Sequence, residues 1–230
     1  MFNLLKIAAK AACMAAIFVI AAGAQTTGTV NLSGTVSKYV EINSGGAVTL
    51  TGNSGGGVTT NGTVNTPLAV VVNLGELGPS NTSTFVTASV PLKLRSNAAY
   101  VMSMAATFSS TGSTVEKMAA SDVGFGLGTA VRSGLGVATG TDTDGTSGDP
   151  TLAANGAING TTGRFEFTTP RSNLGAFASS TTALNGTYIM RAVPRTNTNG
   201  LTVPAIFAVK PQFYENGTMT ATATFTVTAP

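Results

Sequence analysis

Histidine and tryptophan are absent from this 230-residue chain, and its one cysteine, Cys13, lies near the start. Without histidine there is no Ser-His-Asp or Cys-His nucleophile system and no histidine-ligated zinc or iron. Charge is scarce as well: 12 basic residues stand against 9 acidic ones, 9% of the chain, for a formal net of +3. The bases stand singly, so no basic patch exists to hold nucleic acid. Disordered chains combine high charge with low hydrophobicity; at 43% hydrophobic residues this chain has the opposite profile and is expected to fold.

The first residues read as an export signal. Lys6 and Lys10 flank a basic region, AACMAAIFVIAA follows as a short apolar stretch, and Ala22-Gly23-Ala24 has the small-residue form of a cleavage site. Cys13 is followed by the apolar stretch rather than preceded by it, which is wrong for lipidation. Removal of residues 1–24 would take Cys13 and both lysines with it, so the formal charge would fall from +3 to +1 and no thiol would remain. No later run is long enough to cross a membrane as a helix. The expectation is a secreted protein, extracellular or at the cell surface, whose remaining residues can build one sizeable core without disulfides.

Alternation at period two recurs in TGTVNLSGTVSKYVEI, TFVTASVPLKLR, AYVMSMAATF, GRFEFTT, GTYIMRAV and GTMTATATFTVTA, the pattern of half-buried strands. PLAVVVNL and VPAIFAVK are more continuously apolar, as expected of strands central to a sandwich. Asn-Gly pairs at 61–62, 155–156, 159–160, 185–186, 199–200 and 216–217 suit the positive φ of tight hairpin turns. One helical candidate interrupts the strands: STVEKMAASD, where Ser113 and Glu116 have capping-box spacing, predicts one or two turns. Residues 133–163, rich in Gly, Thr, Ser, Asp and Asn, read as a long loop or a flap of poorly defined strands. The fold class expected is all-β: a single Ig-like or jelly-roll antiparallel sandwich over residues 37–230, with one short helix and that long loop.

Candidate chemistry is sparse. Glu41, Glu76, Glu166 and Glu215 stand apart, with nothing to pair them as a glycosidase needs, and no enzyme activity is expected. Asp142, Asp144 and Asp149, beside Gly145, place hard oxygen ligands close together as calcium prefers, though the terminal glutamate of an EF-hand is missing. The run GFGLGTAVRSGLGVATG opens no helix after a strand, so its glycines suit bends and close strand packing better than phosphate binding. Tyr39, Tyr100, Tyr188 and Tyr214 are expected as half-buried strand residues whose hydroxyls reach the surface.

The two ends of the mature chain answer each other. Residues 25–36, QTTGTVNLSGTV, place Val30, Leu32, Gly34 and Val36 in step. At the other end Met219, Ala221, Ala223, Phe225 and Val227 alternate with threonines, and no charge occurs from Thr218 to Pro230. An uncharged strand at a sheet edge is a template for pairing with another chain.

On these residues the chain resembles secreted bacterial β-sandwich fibre subunits assembled by donor-strand exchange, such as chaperone–usher pilins and spore-coat-U-like proteins. The resemblance implies that residues 25–36 are a donor strand filling a groove in the next subunit, lined there by the C-terminal strand. It also implies a homopolymer of identical subunits, with a periplasmic chaperone and an outer-membrane usher as assembly partners. The function expected is a structural subunit of an extracellular filament, pilus or surface layer. The alternative is a monomeric secreted adhesin or ligand-binding sandwich that uses the 133–163 loop, with calcium at Asp142, Asp144 and Asp149.

Overall fold

A computed structural model describes residues 31–146, 148–151, 156–168, 172–194 and 198–230. The export signal, together with Val30 of the expected donor strand, lies outside the described residues. Two units separate along the chain, Met1–Ser37 and Lys38–Pro230. The second is an all-β antiparallel sandwich.

Among the described residues fourteen strands follow in chain order: β1 (Val40–Ser44), β2 (Thr49–Thr51), β3 (Gly57–Thr60), β4 (Val71–Asn73), β5 (Val86–Ser96), β6 (Tyr100–Ser110), β7 (Val123–Leu127), β8 (Val131–Ser133), β9 (Asp142–Asp144), β10 (Ala157–Ile158), β11 (Phe165–Glu166), β12 (Thr181–Gly186), β13 (Gly200–Val209) and β14 (Met219–Thr228). One sheet runs β1-β5-β13-β7, with β2 also on β5 and β8 also on β13. The other runs β14-β6-β12-β9, and β3-β4 and β10-β11 form small ladders of their own. The long strands β5 and β6 are joined through residues 97–99 but lie in opposite sheets, so the chain arches over one end of the sandwich.

Alternation places the core. Val90, Leu92 and Leu94 of β5 and Leu201, Val203 and Ala205 of β13 turn inward from the first sheet, in register across the ladder. Tyr100, Met102 and Met104 of β6 and Ala183 and Leu184 of β12 meet them from the second. Phe125 of β7 is fully buried, edge-on to Phe177 at 5.0 Å and tilted against Phe207 at 5.3 Å.

The expected central strand VPAIFAVK is β13, paired on both sides. PLAVVVNL is not central: Val71–Asn73 pairs in the small β3-β4 ladder, and beyond it Pro67 makes a single bridge to Asn43 of β1. The strand expected at 186–193 is displaced to β12, which the polar stretch TTALNG forms because β6 and β9 flank it on both edges and Ala183 and Leu184 turn into the core.

Two further expectations are corrected. The helix over 113–122 does not form; a three-residue 3-10 turn, Ala120–Asp122, takes its place. The backbone N–H groups of Ser113 and Thr114 donate to Glu215 from across the chain, which displaces the local capping box. Nor do the described Asn-Gly pairs supply positive φ, which falls instead at glycines such as Gly75, Gly134 and Gly136; Asn185–Gly186 closes β12 and Gly200 opens β13. The glycines of β7 serve close packing as expected. A Cβ on Gly126 would sit 1.5 Å from the Gly148 carbonyl oxygen and one on Gly124 2.5 Å from the Phe167 ring. The stretch 133–163 includes the paired β9 and β10.

Candidate functional site

The chain covers its own sheet edges unevenly. Phe125 of β7 donates its N–H to Ser172, and Gly124 bridges Asn173, so residues 172–173 cap that edge. The far edge of β1 is capped at its end: Ser44 donates to Thr66 and Asn65 donates back to Ser44. At β14 nothing comparable occurs. It is a ten-residue strand paired with β6 alone: among the described residues no strand or bridge hydrogen-bonds its other edge, although β1 of the facing sheet packs close to it.

The pairing parity of β14 follows from one bond. Thr111 donates its N–H to the Thr218 carbonyl at 2.8 Å, and these two residues stand directly opposite when the β6-β14 register is extended by one. Thr218 is therefore at a hydrogen-bonded position, and by alternation so are Thr220, Thr222, Thr224, Thr226 and Thr228. The backbone groups of Met219, Ala221, Ala223, Phe225 and Val227 point the other way, to the open edge. Their side chains face the core: Met219, Ala223, Phe225 and Val227 are half-buried against it, and Phe225 lies 6.2 Å from Phe125. Ala221 departs from the expectation and is exposed. The threonines form the outer face, where Thr220 and Ser109 hydroxyls meet at 2.9 Å.

Of the expected donor residues, Leu32 is 92% and Val36 90% exposed, and a Cβ on Gly34 would touch nothing. Residues 31–39 carry no strand, so among the described residues of the alternating stretch 27–42 strand begins at Val40. The compact unit begins at Lys38, whose ammonium donates to the Pro230 carbonyl, which sets the point of departure of the N-terminal segment at the end of the sandwich where β14 finishes.

The three aspartates expected as calcium ligands serve separate purposes. Asp142 takes a bidentate pair from Arg132, Nε to Oδ2 and Nη2 to Oδ1 each at 2.7 Å, and accepts the Tyr100 hydroxyl at 2.6 Å. Arg132 also donates to the carbonyls of Ala138, Thr187 and Tyr188. Since β8 belongs to one sheet and β6 and β9 to the other, this group clamps the sandwich shut. Burial, reinforced by Asp142, pushes the Tyr100 hydroxyl well above its ordinary value, and Tyr100 is buried rather than surface-reaching. Asp144 accepts from Thr146 and Asp149 from Thr151, each turning its own loop. Among the described residues no three acidic side chains gather as a cation would need. Sequence reasoning missed the clamp because Arg132 and Asp142 meet only through sheet packing.

The acidic residues considered for catalysis are held structurally too. Glu41 sits beside Arg95 and accepts from Tyr39, while Glu166 accepts from Asn159. Glu215 receives the backbone N–H groups of Ser113 and Thr114 and both their hydroxyls, and these bonds hold its carboxyl down at about 2. Among the described residues no helix is long and apolar enough to cross a membrane. No family model, curated protein or solved structure matches the chain.

Proposed function

We propose that this protein is an exported structural subunit that polymerises by accepting the N-terminal strand of a neighbouring copy along β14. The observation that carries the reading is the uncharged ten-residue edge of β14, whose outward backbone groups have no hydrogen-bond partner among the described residues while most of its inward side chains are only half-covered. A second strand laid there would complete the backbone ladder and set its apolar residues over the core. The chain carries a segment of matching length and alternation at residues 25–36, of which Leu32 and Val36 are exposed. A subunit that donates at one place and accepts at another makes a heterologous contact that need not close, and so yields filaments.

The test compares the chain from Gln25 with one lacking residues 25–36, by size-exclusion chromatography and negative-stain microscopy. Filaments from the longer form, a folded monomer from the shorter, and stabilisation of the shorter by a peptide of residues 25–36 are the expected results. Two identical stable monomers would refute the proposal.

A further inference from the structure

The sandwich has two distinct poles, set by where the strands end. At one pole β5 turns into β6, β13 begins, β14 ends and Lys38 leads into the N-terminal segment. At the other β6 and β13 end and β14 begins, and the connections 111–118 and 210–218 lie side by side, joined by the Glu215 N–H donating to the Glu116 carbonyl.

Exposed large apolar side chains collect at both. On the second pole Phe213 is 85% and Val115 86% exposed, and Ile158 joins them, because Arg164 donates to the Val115 carbonyl while Phe165 pairs with Ile158 and bonds Gln212. On the first pole Leu135, Tyr188 and Tyr39 are exposed, on backbone bonded to Asn199, Arg132 and Asn97. Charge is mixed at both: Lys38, Lys93 and Arg191 lie toward the first pole together with the exposed Asp144. Glu76, Glu116 and Glu215 belong to the second, diluted there by Lys117 and Lys210. Exposed apolar clusters with a polar rim mark surfaces that meet a partner.

We infer that the second pole, built around Phe213 and Val115, docks on the first pole of the next copy, around Leu135 and Tyr188, as a contact separate from the donated strand. The inference rests on the filament reading and follows from chain direction. Residue 36 is two residues from the pole at Lys38. Laid antiparallel on β14 of a neighbour, it falls at the Met219 end, which brings the donor's first pole against the acceptor's second. Laid parallel, it would bring two first poles together and close a reciprocal dimer. The antiparallel ladder is the slightly stronger one and the only one of the two that propagates.

The experiment uses the chain from Gln25, which has no cysteine of its own, carrying Phe213→Cys with Leu135→Cys. Polymers are treated with a short bis-maleimide and run on a denaturing gel. A ladder of covalent multimers is expected from the double variant and only single chains from either variant alone. Dimers from Phe213→Cys alone, or from Leu135→Cys alone, would mean like poles meet and would overturn the inference. Filaments by microscopy with no ladder would overturn it while leaving strand donation intact, and absence of any polymer would remove both. As an independent measure, Phe213→Ser should raise the concentration needed for assembly by on the order of tenfold without changing the melting temperature; an unchanged threshold would overturn the docking.

Discussion

The parity of β14 makes neighbouring residues respond oppositely to proline. Proline removes one backbone donor and fixes φ near the extended range, so its effect depends on where the lost N–H was pointing. Ala221 points its N–H to the open edge and its side chain is exposed. Ala221→Pro therefore deletes no internal bond and should change stability by less than about 1 kcal/mol. Thr222 points its N–H at Thr107 of β6, and Thr222→Pro breaks that rung and forces the ring against it, a cost of about 3 kcal/mol. For a unit of this size that is a fall of roughly 6–12 °C in melting temperature. Assembly should separate the two the other way: Ala221→Pro melts like the parent yet forms no filaments, since the ring stands where a donor carbonyl must approach. Calorimetry and negative-stain microscopy on the two variants decide it. Equal destabilisation would refute the parity, and filaments from Ala221→Pro would refute β14 as the acceptor.

Asp142→Ala should destabilise by about 3–5 kcal/mol in chemical denaturation, because Arg132 and Asp142 are 10% and 9% exposed and removal of one leaves the other charge buried without compensation. The paired change Arg132→Met with Asp142→Leu should cost less than the sum of the single changes in a double-mutant cycle. With Asp142 engaged by Arg132, calcium or a chelator should shift the melting temperature by less than about 1 °C; a large calcium-dependent rise would restore the adhesin alternative. Glu215 titrates at about 2 in the fold, below its ordinary 4.5, so its hold on Ser113 and Thr114 is fully present above 4.5 and is lost as pH falls from there towards 2. Protection of the amides of residues 113–118 from hydrogen exchange, taken relative to the intrinsic exchange rate at each pH, should fall across that window and lose the dependence in Glu215→Gln.

The strands whose side chains alternate against a deep core were legible from spacing alone. β5, β6, β13 and β14 fall within two or three residues of their expected places, since each is a long strand along most of which one face is more buried than the other. Elements made by tertiary contacts were not. Thr181–Gly186 has weak alternation and is a strand because β6 and β9 flank it. Val71–Asn73 is apolar yet peripheral, since continuous apolarity does not say which sheet receives it. The helix at 113–122 fails because Glu215, roughly a hundred residues away in the chain, binds the N–H groups the local cap would have used. The candidate edge was legible as an uncharged alternating strand; the outward direction of its odd-numbered residues needed the bond between Thr111 and Thr218.

The central claim is that the outward backbone of β14 waits for a strand from another copy. Amide hydrogen exchange resolved along β14, before and after assembly of the chain from Gln25, tests it most directly. The amides of Ala221, Ala223, Phe225 and Val227 should exchange quickly in the monomer and become protected in the polymer, while those of Thr222, Thr224 and Thr226 stay protected in both. Outward amides that are already protected in the monomer, or that still exchange quickly in the polymer, would contradict the account.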